Sequence, residues 1–122
     1  MSAEDLELAE AFRRAAEEAL RSGDREPVYA LLAEDVEWVI PQRPLEGIGE
    51  VRERLVTDAP QRSLEVAFEG DWVDRGGGHL TADVREVWRL RETGEFAYER
   101  HLDIDLRIRD GKVVRYEMKY GR

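Results

Sequence analysis

The second half of this chain is dominated by two long runs in which every other residue is apolar. Leu80, Ala82, Val84, Trp88 and Leu90 make one row, and Phe96, Tyr98, Leu102, Ile104, Leu106 and Ile108 make the other. A period of two puts one face of each segment in a core, so both read as half-buried strands. Glu92-Thr93-Gly94 lies between them. A three-residue hairpin loop with glycine in the left-handed position sets Leu90 opposite Phe96, Trp88 opposite Tyr98, Glu86 opposite Arg100 and Val84 opposite Leu102. The two charged residues that break the rows thus meet on the inner face. Buried charges are costly unless paired, and truncating one member of a dry pair is expected to cost roughly 3 to 5 kcal/mol.

The last turn, Arg109-Asp110-Gly111, also accepts a three-residue loop. It predicts Leu106 opposite Val114, Ile104 opposite Tyr116, Leu102 opposite Met118 and Arg100 opposite Tyr120, which keeps the inner row inner. Upstream, Leu8, Ala11, Phe12, Ala15, Ala19 and Leu20 recur at helical spacing behind a Ser2 cap and an acidic first turn, predicting a helix over 3–21. Ser22-Gly23-Asp24 ends it and starts a short helix capped by Asp24, followed by a strand over 36–40. Pro41 and Pro44 punctuate a loop before a third helix that presents Ile48, Val51 and Leu55 on one side, and Pro60 closes it. Leu64, Val66, Phe68 and Trp72 mark one long strand that ends at the Gly76-Gly77-Gly78 turn. Helices first and antiparallel strands last imply an α+β fold: three N-terminal helices on a curved, mainly antiparallel sheet with a C-terminal meander.

At 122 residues the chain fits a single domain, 1–122. A net charge of −9 opposes nucleic acid and anionic membrane surfaces as partners and favours neutral or cationic ones. Without cysteine there are no disulfides, thiolate metal sites or thiol nucleophiles. The acidic start lacks a leader-like apolar core and no run is long enough to span a bilayer, so a cytoplasmic protein is expected. On the outer sheet face the same registers align Asp83, Asp103 and Glu117 in one row and Arg85, His101 and Lys119 in the next. Two readings stay open: a solvated face, or the isologous interface of a homodimer. No metal or cofactor is assigned. Neither His79 nor His101 joins a nucleophile, which disfavours a Ser-His-Asp hydrolase.

Ser22-Gly23-Asp24, the stretch Leu32-Ala33-Glu34-Asp35-Val36-Glu37-Trp38 and the turn Asp110-Gly111-Lys112-Val113, taken in this order along nearly the whole chain, resemble the SnoaL-like, nuclear transport factor 2-like superfamily. The resemblance implies a cone whose sheet wraps around the helices and encloses an apolar cavity, used by members for isomerisation, cyclisation, dehydration, epoxide hydrolysis or binding alone. Fold therefore does not settle function. The Tyr and two Asp of ketosteroid isomerases fall at Ala16, Ile40 and near Ile104. The Asp-Arg-Asp set of limonene epoxide hydrolases falls at Glu86, Val84 and Met118, so one carboxylate is kept in type, and Arg100 stands where it can replace the lost arginine from the next strand.

Two functional readings follow. In one, a cofactor-free isomerase, cyclase or hydrolase uses Glu86 as acid-base group, Arg100 as electrostatic partner and Tyr116 or Tyr120 as hydrogen-bond donor. Its pocket draws on Phe12, Ala16, Trp38, Ile40, Phe68, Trp88, Tyr98, Ile104 and Met118, and its ligand is a small neutral or weakly polar organic molecule. In the other, a noncatalytic ligand-binding or dimerisation module, natural or engineered, keeps Glu86 and Arg100 as a structural ion pair. The discriminating observation is whether the Glu86 carboxyl borders the cavity.

Overall fold

A computed structural model describes residues 3–40, 43–54 and 62–120. The expectations for Ser2, Pro41, Leu55 and Pro60 lie outside the described residues. Helix α1 (Ala3–Ser22) buries Ala9, Phe12, Ala15 and Ala19 and carries Glu4 and Asp5 in its first turn, where they complement the helix dipole. Gly23, with φ +83°, ends it by donating its N–H to the Ala19 carbonyl at 2.8 Å. Helix α2 (Glu26–Tyr29) is a single turn. Arg25 is its N-cap residue, and the Asp24 carboxylate, expected there, stands one residue earlier and accepts the Glu26 N–H at 3.1 Å.

Strand β1 (Leu32–Ile40) begins four residues before the predicted start. It runs parallel to the last strand, with a register shift between Leu32 and Glu37 that absorbs the polar Glu34-Asp35 stretch. β2 (Arg43–Glu46), which takes up Pro44 as an edge strand, and α3 (Ile48–Arg54) follow. The long strand expected through Trp72 is two strands, β3 (Arg62–Phe68) and β4 (Val73–Gly76), because the chain turns at Gly70 with φ +128°. β5 (His79–Leu90), β6 (Phe96–Arg109) and β7 (Lys112–Tyr120) complete the chain. The strand order is β2-β1-β7-β6-β5-β3, with β4 paired to β5, and every contact except β1 with β7 is antiparallel. Three helices on a mixed, mostly antiparallel, unclosed sheet make the α+β cone. Among the described residues no helix is long and apolar enough to cross a membrane.

Between β5 and β6, Val84↔Leu102, Glu86↔Arg100 and Trp88↔Tyr98 pair as the alternation requires. Leu90 does not face Phe96; Arg89 does, after a one-residue shift. The loop is longer than three residues, since the Leu90 N–H bonds to the Glu95 carbonyl at 2.8 Å, and the extra residue Ala97 in β6 restores the register. The β6–β7 register also differs: Leu106 pairs with Tyr116, Ile104 with Met118 and Leu102 with Tyr120. Asp110 (φ +54°) and Gly111 (φ +74°) form a two-residue turn with both central residues left-handed, and a bulge between Arg107 and Ile108 completes a two-residue slip.

That slip rearranges the outer face. Asp83, Asp103 and Lys119 share a row, Asp105 lies opposite Glu117, and Arg85 opposite His101 has no third row partner on β7 among the described residues. The expected Asp83-Asp103-Glu117 row is not formed. Polar partners meet within the face instead: His79 Nε2 lies 2.7 Å from Asp105 Oδ2, and Arg115 Nη1 donates to Glu117 Oε1 at 2.9 Å.

Candidate active site

A cavity of about 250 Å³ lies between α1 and the inner face of the sheet. Its aromatic floor joins the two ends of the sequence. Trp38 of β1 and Tyr116 of β7 are register partners in the parallel pair, and their rings stack at 4.1 Å with an interplanar angle of 20°. Phe12 of α1 rests against both, at 6.1 and 5.7 Å. Ile40, Ile104 and Met118 continue this wall, Phe68 and Trp88 face it from the β3–β5 side, and the small Ala16 leaves room under the helix. Tyr98 does not line the cavity; its ring stacks at 6.0 Å on Trp88.

Glu86, Arg100, Tyr116 and Tyr120 all border the same space. Glu86 is 8% exposed in an otherwise apolar core. Burial pushes its carboxyl above the ordinary glutamate value, and the Arg100 charge only partly opposes this. The Trp88 indole N–H leans toward the carboxylate and favours its ionised form, though it closes no hydrogen bond of ordinary geometry. Arg100 Nε stands 3.8 Å from Glu86 Oε1, and the arginine side chain is 36% exposed. The pair is thus asymmetric, with a desolvated acid facing a cation that reaches water, rather than the dry clasp expected of an inner row.

The Arg100 guanidinium bonds elsewhere. Its Nη1 donates to the Tyr120 hydroxyl at 2.8 Å although Tyr120 is in register with Leu102, so this contact is diagonal. Tyr116 is buried, and its hydroxyl is driven upward in pKa first by burial and then by the Glu86 charge. It stays protonated over the working pH range as a donor. Register separates Tyr116 from Glu86 by two strands and three rows, yet both border the one cavity. An acid with raised proton affinity, a phenolic donor and a half-exposed cation around one apolar cavity can exchange a proton with a bound molecule and offset the charge that develops.

Glu17 and Arg25 also border the cavity, and neither stands out in the sequence. Glu17 follows Ala16 on α1, and Arg25 sits in the turn before α2. The one available signal is the helical spacing of Ala16, Ala19 and Leu20, which turns that side of α1 toward the sheet.

Comparison with solved structures places the fold. A nuclear transport factor 2-like protein from Anabaena variabilis ATCC 29413 superposes with a TM-score of 0.74 at 13% identity, covering 100% of this chain and 93% of that one. TerC, co-crystallised with polyporic acid, gives 0.71 at 18% identity, covering 98% and 92%. A limonene epoxide hydrolase-like epoxide hydrolase of M. tuberculosis gives 0.69 at 15% identity, covering 97% and 83%. These likenesses show the fold alone. No functionally curated protein matches the chain. The model of the SnoaL-like domain matches residues 12–116, which span the cavity's floor from Phe12 to Tyr116, and the chain therefore belongs to the SnoaL-like domain family.

Proposed function

We propose that this protein binds a small neutral or weakly polar organic molecule beneath α1 and acts on it by cofactor-free acid-base chemistry of the isomerase, cyclase or hydrolase type. One observation supports the reading: Glu86, a buried acid, is among the residues that line the cavity, together with Arg100, Tyr116 and Tyr120. An acid-base group must come within about 3 Å of the atom it serves, directly or through one water. Glu86 exchanges the proton, Arg100 offsets charge on the carboxylate or on a substrate oxygen, and Tyr116 or Tyr120 donates to that oxygen. Since a cavity of about 150 Å³ accommodates benzene, a space of about 250 Å³ suits a ligand of roughly ten non-hydrogen atoms. The like-folded TerC, crystallised with polyporic acid, and the epoxide hydrolase give precedent for organic ligands in this fold.

Val84 and Met118, the positions to which the resemblance assigns the other two polar residues of limonene epoxide hydrolases, favour a second reading in which the cavity binds without turnover. A homodimer through the outer sheet face and a cytoplasmic location belong to the same proposal; the like-charge rows expected on that face are not formed, and its half-buried Asp105 and Glu117 are what a partner there would cover.

The test is a thermal-shift screen of wild type and Glu86→Gln against small ketones, lactones, epoxides and apolar alcohols. A ligand at a hundredfold its Kd stabilises the native state by about 2.7 kcal/mol. Stabilisation of wild type that changes in folded Glu86→Gln supports the reading, and turnover of the same compound class separates enzyme from binding module. No response from either protein defeats both.

A further inference from the structure

Arg100 directs its hydrogen bonds to two tyrosines and not to the carboxylate opposite. Nη1 donates to the Tyr120 hydroxyl at 2.8 Å, and Nη2 lies 3.4 Å from the Tyr98 hydroxyl, a weak contact. The guanidinium carbon also stands 4.9 Å from the Tyr120 ring centroid and 5.2 Å from that of Tyr98, so the cation lies against both faces. Nε alone faces Glu86, at 3.8 Å, and among the described residues it has no hydrogen-bond partner.

A guanidinium directly across one rung from a carboxylate ordinarily closes to two parallel N–H···O bonds of about 2.7–2.9 Å. Here it does not, although Glu86 and Arg100 are register partners. Tyr98 precedes Arg100 by two residues on the same strand face, and Tyr120 reaches it diagonally from β7. Both rings lie against the guanidinium, and their hydroxyls take one N–H each of Nη1 and Nη2, which turns those two nitrogens toward the tyrosines and leaves Nε on the Glu86 side.

We infer that Tyr98 and Tyr120 are positioning residues that hold the Arg100 guanidinium off the Glu86 carboxyl, so that Glu86 meets a ligand as an acid-base group and not as half of a closed ion pair. The role of Glu86 toward a ligand rests on the function proposed above; the clamp on Arg100 does not. The other titratable or charged groups bordering the cavity are Tyr116 on β7, Glu17 on α1 and Arg25 before α2, while β3 contributes the apolar Val66 beside Glu86. The cation nearest the carboxyl is therefore the one the tyrosines restrain.

The test is ligand-free. The side-chain carboxyl of Glu86 is titrated by ¹³C NMR in the full chain, its signal identified by its loss in Glu86→Gln. In the Tyr98→Phe/Tyr120→Phe double variant the rings remain but the acceptor hydroxyls are gone, and the guanidinium closes on Glu86. The midpoint is expected to fall by about one pH unit, since an adjacent cation favours the ionised carboxyl. Adding Arg100→Gln to the double variant is expected to cancel that fall. A midpoint that stays put or rises in the double variant overturns the clamp, as does a fall that persists without Arg100. Tyrosines with only a structural role would lower the melting temperature and leave the midpoint alone. Tyr120 is 51% exposed at the end of β7, so Tyr120→Phe alone gives a smaller fall should the double variant not fold, and no fall in it overturns the inference. A shifted midpoint without turnover of any compound keeps the clamp and removes the enzyme; turnover with an unmoved midpoint does the reverse.

Discussion

Glu86 and Arg100 face each other across one rung of β5 and β6, yet only the acid is buried: Glu86 is 8% exposed, and the Arg100 side chain, 3.8 Å away, is 36% exposed. The cost of a lone buried charge, roughly 3 to 5 kcal/mol, applies where water cannot reach the charge left behind. Here Glu86→Ala leaves an arginine that is solvated and held by Tyr120. The expected loss is about 1 kcal/mol, closer to that of an exposed pair, and is read from urea unfolding at pH 7. A loss above about 3 kcal/mol would restore the dry-pair reading.

The raised proton affinity of Glu86 gives stability an unusual pH dependence. Its folded-state pKa lies above the unfolded value near 4.5, so the folded state binds the extra proton between the two values. Its contribution is fully present below that unfolded value and is lost as pH rises through the folded one, the reverse of a carboxylate held by a tight salt bridge. Other acids titrate too, so the difference between Glu86→Gln and wild type is the quantity to measure. Relative to the variant, wild type is expected to lose up to about 1.4 kcal/mol per pH unit across that window, leaving Glu86→Gln the more stable protein near pH 7 if its amide is accommodated. A difference independent of pH would show that the carboxyl is not desolvated.

The glycines of the β4–β5 turn are not equivalent. A Cβ on Gly78 would lie 2.2 Å from the Ile108 carbonyl oxygen, which is backbone of β6, and φ there is +80°. Gly77, at φ +62°, has open space around it. Gly77→Ala is expected to cost about 1 kcal/mol, the penalty of a left-handed alanine. Gly78→Ala adds a backbone clash and loosens the bond from the Ile108 N–H to the Gly78 carbonyl, so it should cost at least about 2 kcal/mol by denaturant unfolding.

The turns on either side of β6 show where sequence stops being informative. The alternation of β5 and β6 identifies which residues face inward, because a one-residue slip would turn each row inside out. A two-residue slip leaves every side chain on its own face, and hydrophobic pattern is blind to it. The β6–β7 pairing was therefore legible only from turn chemistry and parity together: Asp110-Gly111 suits a two-residue loop with both residues at positive φ, and the bulge between Arg107 and Ile108 then returns each row to its own face. Arg100 meets Tyr120 as the sequence leads one to expect, but diagonally and not in register, because of the same slip. Inner-row cavity residues such as Trp38 and Met118 were readable by parity. Glu17 and Arg25 were not, since their place depends on how α1 lies over the sheet.

The proposed homodimer makes a solution prediction. Its face carries compensating pairs, His79 with Asp105 and Arg115 with Glu117, and it includes half-buried Asp105 and Glu117. An interface built on these charges should weaken with salt, since the Debye length falls from about 10 Å at 0.1 M to 3 Å at 1 M. Sedimentation velocity is expected to show a dimer at low ionic strength and growing dissociation toward 1 M salt. A monomer at every ionic strength would leave this face solvated.

The cavity itself can be filled without touching the charges. Ala16 is half-buried on α1 and borders the empty space, so a larger side chain there has somewhere to go. Ala16→Leu should change stability by less than about 1.5 kcal/mol, because the overpacking penalty of a dense core applies where no void exists, and leucine suits a helix as well as most residues do. The added side chain removes a sizeable part of a space of about 250 Å³, so ligands found by thermal shift should lose their effect. Tyr116→Phe separates volume from chemistry. It keeps the ring stacked on Trp38 and removes only the hydroxyl, so stability should hold within about 1 kcal/mol while a ligand that accepts its hydrogen bond binds about tenfold more weakly. If Ala16→Leu leaves ligand binding unchanged while remaining folded, the ligand lies elsewhere; if only Tyr116→Phe does, the cavity is right and the donor is Tyr120.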